Sequence, residues 1–193
     1  MRLTPVKLGA AALAAGALGV SAASAVVGAL PTSTPQSSVP VVGSESIGPI
    51  APDPEGDLDW ALRVYTSTSG ASCVEVGRLS GGRFGQIDAR NAFHVLPLDA
   101  SGTCGDLTAD PTILAVNVYP ARRDREARTV VFGRAGPDVA GALVRRRDGS
   151  LQARPAIGAA GGFVLPLAGM IAASELPVTI TLDDGRNRVY DLS

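Results

Sequence analysis

The chain is 193 residues long, with 17 basic and 18 acidic side chains, a net charge of −1, one histidine, two cysteines and an aromatic content of 4%. So few aromatic residues leave no stacking platform for nucleic acid, and none is expected as a partner. One imidazole, with two cysteines outside C-x-x-C spacing, excludes a histidine-based metal site and a dithiol redox pair, so no cofactor or metal is expected.

Arg2 and Lys7 precede residues 8–30, an uncharged run of ten Ala, four Gly, four Leu, three Val and two Ser that contains an A-x-A site at Ala23-Ser24-Ala25. A basic start, an apolar run and small residues at its end make a secretory signal peptide. The run is 23 residues long; at 1.5 Å per residue it also reaches across a hydrocarbon core of ~30 Å, so an uncleaved transmembrane helix is the alternative. Alanine and glycine drive insertion weakly, which favours cleavage. The expected location is extracytoplasmic, either secreted or held at the membrane by the N-terminal segment alone. Lys7 is the only lysine, so every cation beyond the signal is an arginine.

Residues 31–57 carry Pro31, Pro35, Pro40, Pro49, Pro52 and Pro54 among Ser, Thr and Gly, without a periodic apolar face. Such composition predicts a disordered linker. At its end Asp53, Glu55, Asp57 and Asp59 alternate as in a calcium loop. Counting from Asp53, however, Leu58 and Val64 occupy the sixth and twelfth positions, where an EF-hand needs Gly and Glu. The ladder is read as a solvated linker end.

From Leu58 onward the apolar segments are short, β-branched and separated by Gly, Pro and Asp-Gly. Strands are expected near 58–66, 72–79, 83–88, 93–98, 112–119, 128–134, 138–146, 150–155, 162–168, 176–182 and 186–192. In the first, Leu58, Trp60, Leu62 and Val64 share one face, and Asp59, Arg63 and Tyr65 the other. Asp148-Gly149 and Asp184-Gly185 supply the positive φ that tight hairpins require. The pattern predicts an all-β, antiparallel β-sandwich, as one body or as two small units in tandem. In the second case a first unit (58–119) and a second (128–193) would be joined by the charged run 120–128.

Cys73 and Cys104 are expected to form a disulfide, since an isolated pair in an exported protein is normally bridged. Closing the intervening segment stabilises by ~3 to 4 kcal/mol in the chain-entropy view. His94 is read as a strand residue, partly exposed or hydrogen-bonded. A hydrolase triad of His94 with Asp99 or Asp106 and a serine is the catalytic alternative, although no G-x-S-x-G elbow marks a nucleophile.

Residues 121–154 hold nine arginines and four acids. Within them Arg145, Arg146 and Arg147 are the candidate anion-binding residues, because guanidinium forks match phosphate and carboxylate. On a strand Arg145 and Arg147 would face one side and Arg146 the other, and a solvated edge that blocks strand-to-strand aggregation explains the cluster equally well. Leu176-Pro177-Val178-Thr179 matches four residues of a cell-wall sorting signal, but Ile180 follows where such signals have glycine, so a strand is expected there.

Phe132-Gly133, Gly136, Val139, Val144, Asp148-Gly149, Gly162-Phe163-Val164 and Asp184-Gly185-Arg186 give the second half a resemblance to exported immunoglobulin-like or carboxypeptidase-regulatory-like β-sandwich modules of high-GC Gram-positive bacteria. The resemblance implies a fold and no activity. The first half departs from antibody-type domains, because Trp60 precedes both cysteines. The function expected is a non-enzymatic binding or structural module at the cell envelope, with an envelope polymer or surface protein as partner. A secreted hydrolase using His94 and an accessory subunit of a membrane complex are the alternatives.

Overall fold

A computed structural model describes residues 38–98, 102–122 and 125–192. The expected signal or anchor (1–30), the start of the linker and Asp99 lie outside the described residues. Among those residues no helix is long and apolar enough to cross a membrane.

The chain is all-β and antiparallel, with thirteen strands among the described residues and a 3-10 turn at Ala173–Glu175. The first sheet contains β1 (Ser46–Ala51), β2 (Trp60–Thr66), β3 (Ser72–Ser80), β4 (Arg83–Ile87) and β5 (Phe93–Val95) in that order, with β6 (Thr103–Gly105) also paired to β3. The second is β11 (Gly162–Ala168), β8 (Arg128–Ala135) and β7 (Thr112–Tyr119). The third is β10 (Gln152–Ala153), β9 (Val139–Arg145), β12 (Val178–Leu182) and β13 (Asn187–Tyr190).

Period-two alternation sends the second sheet's side chains in opposite directions, and each set closes a separate core. Ile113, Val130, Phe132 and Val164 pack with Trp60, Leu62, Val64, Val74 and Val76 of the first sheet. Val116, Val131, Phe163 and Leu167 pack with Ala142, Val144, Val178 and Ile180 of the third. The β7–β8–β11 sheet is therefore the middle layer, and Val130 and Val131, adjacent in sequence, are both 0% exposed on opposite faces. The charged run 120–128 connects β7 to β8 inside this one sheet. The boundary expected between a 58–119 unit and a 128–193 unit thus falls within a hairpin.

All eleven expected strands have a counterpart. Both Asp-Gly dipeptides turn hairpins: Gly149 (φ 77°) between β9 and β10, and Gly185 (φ 81°) between β12 and β13. The Gly185 amide donates to Leu182 O and the Leu182 amide to Arg186 O, a tight turn closed by a left-handed glycine. Cys73 and Cys104 are direct cross-strand partners on β3 and β6 and form a disulfide.

The linker expectation is corrected in its second half. Val41 N donates to Thr66 O at 2.8 Å and β1 pairs along β2, so residues 39–51 lie against the first sheet. Pro49 falls where the β1 register slips, on an edge strand that can spare an amide. Ile47 and Ile50 are exposed, so no buried apolar face announces β1 in the sequence. The alternation read for the first strand is also incomplete. Arg63, on the face opposite Trp60 and Leu62, is 2% exposed: Glu75 lies opposite it in register, the Phe84 ring lies 4.7 Å away, and Leu96 O and Pro97 O accept from its Nη1 and Nη2.

Candidate functional site

The third sheet turns one face to the core and leaves the other open. Ala142, Val144, Val178 and Ile180 point inward, so Gly141, Leu143, Arg145, Thr179 and Thr181 point outward. Register places Thr179 between Leu143 and Val189, and Thr181 between Gly141 and Asn187. With Arg154, Pro155 and Ile157 following β10, these residues line an open groove of about 1010 Å³.

Its polar groups are hydroxyls, an amide and two guanidiniums. Thr181 Oγ1 donates to Asn187 Oδ1 at 2.8 Å. Arg145 and Arg154 are exposed, neither pairs with a carboxylate among the described residues, and no acidic side chain lines the groove. Most other arginines of the fold are matched: Arg63, Arg78, Arg122, Arg128, Arg146, Arg147 and Arg186 all lie in ion pairs. The groove can therefore receive an anionic chain by fork contacts at two points and hydroxyl contacts between them.

The expected Arg145–Arg147 cluster is divided. Strand β9 ends at Arg145. Arg146 donates through Nε and Nη2 to Glu175 Oε2 at 3.2 and 3.0 Å, and lies 3.3 Å from Asp148. Arg147 pairs with Asp191 and donates to Ser174 O at 2.6 Å. Only Arg145 reaches the groove, and Arg154, further along the chain, is its companion there.

His94 stands on edge strand β5, where Nε2 lies 2.9 Å from Asp88 Oδ2. Hydrogen bonds from the Ala92 amide and from His94 hold the Asp88 carboxyl down at about 2. Asp106, one of the two acids considered for a triad, accepts instead from the amide and hydroxyl of Thr108.

The acidic ladder holds a feature that sequence reasoning missed. Asp53 is buried between Arg78 (Nη1 to Oδ2, 2.8 Å), Arg128 (Nη2 to Oδ1, 3.0 Å) and the Trp60 indole (Nε1 to Oδ2, 2.9 Å). Burial alone would raise its pKa, but hydrogen bonds from Arg128, the Glu55 amide, Arg78 and Trp60 outweigh it and hold the carboxyl far below the ordinary range. Glu55 pairs with Arg128 at 2.6 Å, and Asp57 with Arg122 at 2.7 Å. Three of the four calcium-like carboxylates, Asp53, Glu55 and Asp57, are thus occupied by arginines, and among the described residues no group of three or more His, Cys, Asp or Glu side chains could hold a metal. Register explains the assembly: Trp60 faces Arg78 across β2–β3, and Tyr119 faces Arg128 across β7–β8. The one available signal was that a run of acids at Asp53, Glu55 and Asp57 has a counterpart in a run of arginines at Arg122, Arg125 and Arg128.

No known protein family matches the chain, and no curated protein or solved structure is significantly similar to it.

Proposed function

We propose that the protein is a non-enzymatic, extracytoplasmic binding module that holds an anionic polymer of the cell envelope in the groove across β9, β12 and β13. The observation that carries this reading is the pair Arg145 and Arg154, uncompensated on an outward sheet face whose lining contains no acid. Guanidiniums kept free of carboxylates attract phosphate or carboxylate groups along a chain. The layout of residues 1–30 and the disulfide support an oxidising, extracytoplasmic compartment. The N-terminal segment either leaves as a signal peptide or tethers the β-domain to the membrane. The likeness of the second half to exported immunoglobulin-like or carboxypeptidase-regulatory-like modules belongs to the same proposal.

Cosedimentation with a phosphodiester-rich wall polymer, repeated at rising salt, tests it. The wild type is expected to bind with an affinity that falls as salt screens the contacts, and the double variant Arg145→Ser, Arg154→Ser to bind about tenfold more weakly, equivalent to ~1.4 kcal/mol. A double variant that binds as well as wild type, or a wild type that ignores the polymer, removes the reading.

The His94–Asp88 hydrogen bond favours a second reading, a secreted hydrolase. Esterase and peptidase screens of wild type against His94→Ala decide it, equal rates excluding the histidine.

A further inference from the structure

A second, smaller cavity of about 130 Å³ lies beside the Asp53 cluster, where β2 and β3 meet the turn between β7 and β8. Part of its wall is apolar and aromatic, formed by Trp60, Tyr119, Ile87 and Pro120. Trp60 and Tyr119 are 4.8 Å apart between ring centroids, inclined by 57°, and the Arg78 guanidinium covers the Trp60 ring at 3.5 Å. The rest is charged and unequal: Arg78, Arg122, Arg125 and Arg128 line the cavity with Asp57 and Glu126, whereas Asp53 and Glu55 do not.

One of these arginines is incompletely bonded. Arg122 Nη2 donates to Asp57 Oδ2 at 2.7 Å, but Nη1 is buried and has no hydrogen-bond partner among the described residues. Leaving a buried donor unmade costs about 1–3 kcal/mol, more when it is charged, and nearly all buried polar groups avoid that cost. A ligand that places an acceptor on Arg122 and apolar atoms against the aromatic wall satisfies both parts of the site. The volume sets the ligand's size, since a dry protein cavity of about 150 Å³ accommodates one benzene ring.

We propose that this cavity binds a small carboxylic acid whose apolar body is no larger than one ring. The Arg122 guanidinium turns to present Nη1 to the carboxylate, and the body lies against Trp60 and Tyr119. Among the described lining residues Arg125 pairs with no carboxylate and Arg122 Nη1 has no acceptor, which favours an anion over a neutral acceptor, and the apolar wall favours an organic acid over a bare oxyanion. The site is separate from the groove on the third sheet and does not depend on it.

Trp60 is the only tryptophan, so its fluorescence reports on the cavity directly. The purified full chain is titrated with benzoate, and in parallel with benzamide and inorganic phosphate. Benzoate is expected to give a saturable change with a Kd on the order of 1 mM, the scale for nine heavy atoms at about 0.5 kcal/mol each. Benzamide and phosphate are expected to bind at least about tenfold more weakly, and Arg122→Gln to weaken benzoate about tenfold while the near-UV circular dichroism stays native. No saturable response at tens of millimolar benzoate overturns the proposal, as does an equal response to benzamide or an unchanged affinity in Arg122→Gln. Should that variant lose its native spectrum, the wild-type Arg122 side-chain N–H resonances decide, and no shift on adding benzoate overturns it.

Discussion

Arg128 Nη2 meets the Asp53 carboxylate at 3.0 Å across a sequence separation of 75 residues, with neither side chain more than 4% exposed. The contact joins the loop after β1 to the first residue of β8, and so ties the first sheet to the middle one. Trp60 and Arg78 hold the same carboxylate from within the first sheet.

Removing that carboxylate leaves Arg78 and Arg128 buried without their shared counter-charge. Asp53→Ala is expected to lower the unfolding free energy by about 3–5 kcal/mol, the cost of breaking a buried ion pair from one side. Asp53→Asn, which keeps an acceptor and loses the charge, should fall between that variant and wild type. Urea denaturation of the three proteins checks this. A loss below about 1 kcal/mol for Asp53→Ala, the range of exposed pairs, would show that the cluster does not hold the sheets together.

Stability should also respond to pH at both ends of the scale. Asp53 and Asp88 titrate below the ordinary 3.8, Asp88 at about 2 through the Ala92 amide and His94. Between their folded and unfolded values the unfolded chain binds more protons, so this contribution is complete above about pH 5 and drains away as pH falls below 4. Tyr190 shifts the other way, to about 12, because burial and then the Asp110 carboxylate, 2.6 Å from its hydroxyl, oppose the phenolate. Its contribution is complete below pH 10 and is lost as pH rises towards 12. Thermal melts across pH check both limbs: Asp88→Asn should flatten part of the acid limb, and Tyr190→Phe the alkaline one.

Gly133 lies on β8 where the middle sheet has no room for a methyl group. A Cβ there would stand 2.1 Å from Ile113 O and 2.8 Å from the Phe163 ring. Gly133→Ala is expected to destabilise by about 1–3 kcal/mol through overpacking, despite alanine's lower unfolded-chain entropy. Gly141 lies on the open side of β9, where a Cβ would meet no other atom within 4 Å. Gly141→Ala is therefore the control and should change stability little. Equal midpoints for the two variants in urea would contradict the packing described for β8.

Much of the fold was legible because its signals are local. Alternation in WALRVYT and VTITL and the glycines of Asp148-Gly149 and Asp184-Gly185 act within a few residues, and each produced the expected strand or turn. Strands β1 and β6 were not legible: β1 is an exposed edge broken at Pro49, and β6 is three residues long beside Cys104. The candidate groove was half legible. Arg145 was marked by its neighbours, but nothing near it in the chain says that Glu175 and Asp191 claim Arg146 and Arg147 and leave Arg145 beside Arg154.

The sequence by itself determined an all-β, antiparallel chain with one cysteine pair, because period, turn chemistry and composition are written in short segments. Tertiary structure alone decided that the β7–β8–β11 sheet serves two cores, that Asp53 is a buried anchor rather than a solvated linker residue, and which arginines keep their charge uncompensated. Those outcomes depend on partners 29, 44 and 75 residues away, whose meeting is set by how the three sheets stack.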